Sequence, residues 1–233
     1  MNTEKMSEEI NITEKEEADW FGDDHLSPSV ETPLREDAFL LADDEKIARI
    51  SHHFSEIMHT LGLDLKDPSL RGTPHRVAKM YVREVFYGLK PENRPDAKKF
   101  ENKYAYHDMV VVKNINVTSF CEHHFLPFLG RAHVAYLSGR NVIGLSKINR
   151  IVDYYARRPQ VQERLTLQIM EELKRSLETE DVAVYIDSKH LCVSTRGIED
   201  RESSTVTTSY SGRFKESETQ QRFIDYIQSE TKS

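Results

Sequence analysis

The sequence is poor in cysteine and glycine and has no long hydrophobic run. Cys121 and Cys192 are its only cysteines, so a disulfide-rich fold is excluded. Nine scattered glycines form neither an internal repeat nor a phosphate-binding glycine loop. No apolar run approaches the roughly 20 residues of a membrane helix, and residues 1–30 lack the apolar core of a secretory signal. We therefore expect a cytoplasmic protein with no membrane partner.

Charge is distributed unevenly along the 233 residues. Residues 1–45 contain 15 acidic and 3 basic residues and carry a net charge of −12. The other 188 residues contain 24 acidic and 29 basic residues, which makes them +5 and the whole chain −7. The pattern predicts an acidic, mostly disordered extension over residues 1–42, with Trp20-Phe21 and residues 38–41 as short docking patches. The body is too weakly basic to indicate nucleic acid, although a polyanionic ligand would suit it.

Helical periodicity begins after the extension, and we expect a helical region over residues 43–106. Apolar residues three and four positions apart predict a first helix from Asp43 to Gly62, with Asp43 or Asp44 as its N-cap. Thr73-Pro74 predicts the start of a second helix that ends near Gly88.

Residues 107–233 alternate between strand and helix patterns and form the third expected region. The strands are predicted over 109–118, 131–137, 182–186 and 205–209. Ser146 is expected to cap a helix that Pro159 ends, a longer helix follows from Val161, and a last helix is expected near 223–227. The order β-β-α-α-β-β predicts an α+β fold with an antiparallel sheet, because parallel sheets alternate strand and helix. Its open edges favour assembly into an oligomer.

The densest chemical pattern is Cys121-Glu122-His123-His124. A cysteine and a histidine three residues apart are typical of zinc sites, and Cys192 can supply a third ligand from an expected β segment. Cys121, His124 and Cys192 would leave the fourth zinc position open to water, as in catalytic sites. A closed structural site with His123 or His190 as fourth ligand, and ordinary buried cysteines without a metal, remain alternatives. The motifs of zinc metalloproteases and zinc deaminases are absent.

Two further clusters suit an anionic ligand and a purine. Backbone N–H groups at the start of the helix after Gly144, with Lys147 and Arg150, could bind phosphates. A solvated charged face explains this stretch equally well, and Arg76 and Arg196 are weaker candidates of the same kind. Glu163 could accept two N–H groups from a guanine edge, or it could simply be an acid in the first turn of a helix.

Four blocks stand in one order along the chain, and together they resemble the GTP cyclohydrolase I family. They are residues 121–125, 144–150, 158–166 and 190–193, and residues 73–81 also look like that family's helical region. The resemblance covers about residues 43–230. It implies the tunnelling fold, whose subunits join into rings of five, and a homodecamer formed from two such rings, with active sites at subunit interfaces. Such an assembly would permit allosteric control.

The resemblance also implies a hydrolase reaction and a role for each residue. GTP and water would give 7,8-dihydroneopterin triphosphate and formate, the first step of pterin and tetrahydrofolate synthesis. Zinc would be held by Cys121, His124 and Cys192, and its water would attack C8 of guanine while His123 protonates N7. The other implied roles are proton transfer and ribose handling for His190 and Ser146, guanine binding for Glu163 and Gln162, triphosphate binding for Lys147, Arg150, Arg196 and Arg76, and substrate contact for Leu145.

Two other functions remain open from the sequence alone. One is a tunnelling-fold relative that acts on another purine or pterin. The other is a non-catalytic, zinc-stabilised oligomer that binds nucleotides. Because the resemblance leaves out the acidic extension, we expect deletion of residues 1–42 to leave turnover of GTP nearly unchanged.

Overall fold

Helices and strands follow one another in the computed structural model, which describes residues 29–96 and 98–229. The helices are α1 Asp43–Thr60, α2 Thr73–Met80, α3 Leu145–Ala156, α4 Gln162–Leu177, α5 Leu191–Ser194 and α6 Ser217–Gln228. The strands are β1 Lys99–Glu101, β2 Met109–Cys121, β3 Pro127–Leu137, β4 Asn141–Ile143, β5 Pro159–Gln160, β6 Val182–His190 and β7 Thr205–Tyr210. The predicted patch at Trp20-Phe21 lies outside the described residues.

The two N-terminal helices lie where the sequence predicts them, but their ends differ. α1 stops at Thr60, two residues before Gly62 turns the chain at a φ of 81°. The predicted cap is wrong: the N-cap is Ala42, and Asp43 and Asp44 lie in the first turn, where their charge suits the positive end of the helix. α2 is shorter than predicted, because the chain continues as a π-helical turn over Tyr81–Val85 and a 3₁₀ turn over Tyr87–Leu89.

A five-stranded sheet in the order β5-β2-β3-β6-β7 forms the centre of the protein. The β2–β3 hairpin pairs Met109 with Leu137 at one end and Phe120 with Pro127 at the other. All pairs are antiparallel except β5–β2, which is parallel over two residues. The α+β class and the order β-β-α-α-β-β are confirmed. The short strands β1, β4 and β5 were not predicted, because two or three residues carry no detectable periodicity.

Helices cover both faces of this sheet. On one face α3 and α4 contribute Ile148, Ile151, Leu165, Ile169 and Leu173, which pack on Val117, Phe128, Val134 and Ile186 of the strands. On the other face Phe223 of α6 and Phe214 pack against Met109, Ala135 and Ala183. Because both faces of the central strands are covered, β2, β3 and β6 form a firm frame for any site at their ends.

Residues 29–42 run along the body of the protein. The first four of them, residues 29–32, we call the N-terminal strap. Its groups accept hydrogen bonds from three buried side chains: Arg158 Nη1 to Thr32 Oγ1 (3.1 Å), Arg164 Nε to the Ser29 carbonyl (3.3 Å) and Gln168 Nε2 to the Val30 carbonyl (2.7 Å). Part of the expected extension is therefore tied to α4. Within the described part of the chain, no helix has the length and apolar character needed to cross a membrane.

Candidate metal centre and active site

The connection between β2 and β3 is a tight loop that carries three of the predicted site residues. We call residues 121–126 the metal loop. Its ends are closed by a hydrogen bond from the Cys121 N–H to the Leu126 carbonyl (2.8 Å), and the Phe125 N–H donates to the Cys121 carbonyl (2.8 Å). Phe125 adopts left-handed backbone with a φ of 53°, which costs a bulky residue free energy and is typical of functional sites. The turn brings His124 Nδ1 to 3.9 Å from Cys121 Sγ.

The third predicted ligand comes from the end of a neighbouring strand. β6 pairs with β3 through His190 and Phe128, so the residues after His190 lie beside the metal loop. The expected β segment at Cys192 is wrong: β6 ends where its partner strand begins, and Leu191–Ser194 forms a helical turn instead. As a result, ligand atoms of Cys121, His124 and Cys192 all lie within 4.8 Å of one another.

This donor set fits zinc. Two sulfurs bound to one zinc ion at about 2.3 Å in a tetrahedron lie about 3.8 Å apart. This distance is shorter than the 4.8 Å within which the three ligand atoms lie, so they are close enough to share an ion. Burial and the neighbouring Cys121 thiol raise the pKa of Cys192 to about 11, so the thiolate form needs a cation beside it. Among the described residues, the group of donors close enough to share an ion consists of these three. Three protein ligands leave one position open, as in catalytic zinc sites.

We call Cys121, His124 and Cys192 the donor cluster. His190 is held in one orientation beside it. Gln162 Nε2 donates to the carbonyls of Ile186 (3.2 Å) and Thr205 (2.9 Å), so Gln162 Oε1 must be the acceptor toward His190 Nε2 (2.8 Å). The imidazole also stacks on Phe128 with ring centroids 4.6 Å apart. Burial lowers the pKa of His190, although Glu163 opposes the shift. His190 is therefore neutral near pH 7, with its proton on Nε2 and with Nδ1 as the basic nitrogen.

The predicted guanine-binding pair divides into two different environments. Gln162 is 1% exposed, and its amide is occupied by the bonds to His190 and to strand carbonyls, so it positions His190 rather than offering a free polar group. Glu163, the next residue, is exposed in the first turn of α4 and acts electrostatically on His190. Arg196 is also exposed, and its charge favours the thiolate form of Cys192. We call the donor cluster with its neighbours His190, Gln162, Glu163 and Arg196 the metal side of the site. It therefore contains both a carboxylate and a guanidinium.

The second predicted cluster, Leu145–Arg150, lies at the other end of the sheet. Its helix begins at Leu145 with Gly144 as the N-cap, so the prediction that Ser146 is the cap is wrong. Leu145 follows the end of β3 at Leu137, whereas the metal loop precedes the start of β3, and eleven residues of strand span about 33 Å. α3 then leads back to β5, which pairs with the end of β2 that carries the metal loop. Its 12 residues are about 18 Å long, so its start lies at least about that far from the metal loop.

Ser146 and Lys147 therefore lie on the order of 20–30 Å from the metal loop of the same chain. Leu145, Ser146 and Arg150 are exposed there, and Lys147 is half-buried. Arg76, the remaining predicted phosphate ligand, donates from Nη2 to Thr73 Oγ1 (2.7 Å) and the Ser69 carbonyl (3.2 Å) at the start of α2. One chain thus brings together the metal-side residues and leaves the predicted phosphate-binding helix elsewhere.

Sequence reasoning gave no role to three residues that shape the metal side. Phe128 supports the His190 ring, and Glu122 of the metal loop forms an ion pair with the buried Arg164 of α4. The signal for the ion pair was present, since the two residues carry opposite charge and lie within the two densest motifs. Their separation of 42 residues hid the contact, because the parallel β5–β2 pairing that brings the motifs together leaves no local signal in the sequence.

Known proteins resemble this chain over most of its length. Residues 50–228 match the sequence profile of the GTP cyclohydrolase I family. A protein named GTP cyclohydrolase 1 from Flavobacterium johnsoniae is 57% identical over 220 residues, which are 94% of this chain and 99% of that protein. One of the same name from Citrobacter koseri is 52% identical over 200 residues, 85% of this chain and 90% of that protein. A solved archaeosine synthase of the QueF-like type aligns with a TM-score of 0.38 and 19% identity over 45% of this chain and 94% of its own. The chain therefore belongs to the GTP cyclohydrolase I family, in line with the tunnelling fold that its sequence predicts.

Proposed function

We propose that this chain catalyses the conversion of GTP and water to 7,8-dihydroneopterin triphosphate and formate. The observation that carries the proposal is the cluster of Cys121, His124 and Cys192 beside a neutral, oriented His190, in a chain of the GTP cyclohydrolase I family. The identity of 52–57% to relatives named GTP cyclohydrolase 1 makes another purine or pterin substrate, or a non-catalytic role, the weaker explanation.

Cys121, His124 and Cys192 would hold a zinc ion and leave one coordination position for water. A zinc ion held there would supply a hydroxide equivalent near neutral pH, less readily with two thiolate ligands than with neutral ones. A proton acceptor beside the site would offset that loss. His190 is suited to that role, because its Nε2 proton is fixed by Gln162 and Nδ1 can accept.

His123 is the second proton-transfer group. It lies in the metal loop, with Nδ1 3.7 Å from Cys121 Sγ. We assign it the role of donating a proton to N7 of guanine, because a protonated ring nitrogen draws electrons from C8 and makes that carbon easier to attack. The two histidines thus divide the acid and base roles that opening the imidazole ring requires.

Charged groups on both sides would bind the rest of the substrate. The exposed Glu163 carboxylate can accept two N–H groups of the guanine edge in a charge-assisted, bidentate contact. Lys147, Arg150, Arg196 and Arg76 supply positive charge for the triphosphate, with Ser146 and Leu145 at the helix start nearest the ribose. A triphosphate held away from the reacting carbon contributes orientation, which lowers the entropic cost of the chemical step.

We infer that a complete site takes its two sides from different copies of the chain. Ser146 and Lys147 lie on the order of 20–30 Å from the metal loop of their own chain, which is too far for them to act beside the reacting carbon. A ring of subunits brings one end of the sheet of one copy near the other end of its neighbour. The expected decamer of two pentameric rings meets this requirement, and the cytoplasm remains the predicted location.

The experiment is turnover of GTP by the purified chain, followed as formate release and as pterin fluorescence after oxidation. We expect both products in equal amounts, loss of both after treatment with a zinc chelator, and recovery when zinc is added back. A panel of other purine nucleotides serves as the substrate control. Preference for another nucleotide, or turnover that survives complete removal of the metal, would contradict the proposal.

Two variants test the ligand set. Cys121→Ser and Cys192→Ser should each lose bound zinc and turnover together, because a hydroxyl is a poor zinc ligand. His59→Ser is the matched control, since His59 is exposed on α1 and lies outside the donor cluster. Full turnover by either cysteine variant without metal would show that the cluster is not the active centre.

A further inference from the structure

A buried arginine connects the metal loop to the first turn of α4. Arg164 is 3% exposed, and its guanidinium forms a two-point ion pair with Glu122, through Nη1 with Oε2 and through Nη2 with Oε1 (3.2 Å). A third donor, Nε, bonds to the Ser29 carbonyl of the N-terminal strap (3.3 Å). Arg164 therefore spans three segments that are far apart in sequence.

Glu122 is fixed at both its backbone and its carboxylate. Its N–H donates to the Gln160 carbonyl (3.0 Å), which continues the β5–β2 pairing, and Oε1 lies 3.9 Å from His123 Nε2. It follows Cys121 in the chain and lies two residues before His124. A displacement of the backbone at Glu122 would therefore also move the neighbouring Cys121 and His123.

The ion pair is poorly explained by stability alone. Removing an arginine and a carboxylate from water costs several kcal/mol, and apolar replacements of buried pairs are often as stable. A two-point contact with a planar guanidinium does, however, fix both the distance and the angle of a carboxylate. Residues around metal ligands that fix their orientation typically change metal affinity or activity by 10–100-fold when substituted.

We propose that Glu122 and Arg164 are positioning residues that hold the metal loop, and with it His123, against the first turn of α4. The inference rests on the proposed function, because it assigns the loop to the metal and to the reaction. It predicts that the two side chains act as one unit. The N-terminal strap contacts the same guanidinium, because the Ser29 carbonyl accepts a hydrogen bond from Arg164 Nε.

The experiment compares Glu122→Gln, Arg164→Gln and the double variant with Arg158→Gln. Arg158 is a matched control because it is also a buried arginine that bonds to the strap, but it donates to the Gly88 carbonyl and forms no ion pair with a carboxylate among the described residues. Zinc affinity is measured by competition with a chromogenic chelator, and kcat and KM are measured with GTP. Thermal unfolding checks that each variant is folded.

We expect either single variant at the pair to weaken zinc binding and to lower kcat by about 10–100-fold each, with KM for GTP within about threefold. The double variant should be no worse than the single variants, because they remove the same unit. Arg158→Gln should change stability while zinc affinity and kcat stay within about threefold.

The inference is overturned if folded pair variants match Arg158→Gln in zinc affinity and kcat, or if the effects of the two single variants multiply in the double variant. If Arg164→Gln does not fold, Glu122→Gln alone decides, since it preserves volume at a partly exposed position. Failure of the proposed function looks different, because the unmodified chain would then bind zinc without converting GTP, while the zinc competition would still report on the pair.

Discussion

The separation between the metal loop and the start of α3 makes a quantitative prediction about mixed oligomers. Cys121→Ser destroys the metal side of a chain and leaves its α3 intact. The double variant Lys147→Ala/Arg150→Ala does the reverse. Loss of two charge-assisted contacts to phosphate costs about 3–6 kcal/mol. Such a loss lowers kcat/KM by about 10²–10⁴-fold, so both parent proteins are nearly inactive.

Co-expression of the two variants in equal amounts should restore activity. If each site takes its metal loop from one copy and its α3 from another, half of the loops and half of the helices are intact in a random mixture. About one site in four then has both intact sides, and activity should approach 25% of that of the unmodified protein. The assay is pterin fluorescence from GTP, with mass spectrometry to confirm that both variants are present in the same particles.

The control pair is Cys121→Ser with Cys192→Ser. Both substitutions lie in the same donor cluster on the metal side, so a mixture of these chains contains no intact metal side and should remain inactive. Confirmed mixed oligomers of the first pair that show no more activity than the average of their parents would refute the assignment of the two sides to different copies.

Three further outcomes follow from single contacts. Gln162→Leu should lower kcat by about tenfold and cost about 1–3 kcal/mol in urea unfolding, because His190 loses its partner and the carbonyls of Ile186 and Thr205 lose their donor; an unchanged kcat would contradict the positioning of His190. Deletion of residues 1–42 should cost about 4 kcal/mol of unfolding free energy, since the strap accepts four hydrogen bonds from three buried side chains, at about 1 kcal/mol each. Deletion of 1–28 keeps the strap and should cost less; equal stability of the two truncations would show that the strap contributes nothing. Burial lowers the pKa of His133, so below about pH 6.5 the unfolded chain binds more protons than the folded one, and the free energy of unfolding falls as the pH drops. His133→Leu should reduce the slope of unfolding free energy against pH by up to about 1.4 kcal/mol per pH unit between pH 7 and 5. An unchanged slope would exclude His133 as a cause of this pH dependence.

The sequence predicted the features that local patterns encode. The period of apolar residues identified α1, α3 and α4, and the alternation of β-branched residues identified β2, β3, β6 and β7. The spacing of Cys121 and His124 indicated a metal loop, and the count of cysteines identified Cys192 as its partner. These predictions depend on residues that are neighbours in the chain or that have few alternatives.

Long-range contacts could not be predicted in this way. The Glu122–Arg164 pair and the parallel contact of β5 with β2 depend on how α3 and α4 pack on the sheet, which no local pattern reports. The burial of Gln162 has the same cause: the family resemblance implied a substrate contact, and the packing of α4 on β6, which no local pattern indicates, turns its amide toward His190. Helix caps were missed because Ala42 and Gly144 precede α1 and α3 with no side-chain hydrogen bond.

The donor cluster also has a consequence for how the chain folds. Cys121 and His124 lie in one hairpin connection, but Cys192 follows 71 residues later, and it reaches them only after β6 has paired with β3. A zinc ion bound there would act as a removable cross-link that ties the hairpin to the end of β6. At a free zinc concentration 100 times the dissociation constant, such binding adds about 2.7 kcal/mol to the stability of the folded state. The stability of the folded chain, and not only its turnover, would then depend on the supply of zinc.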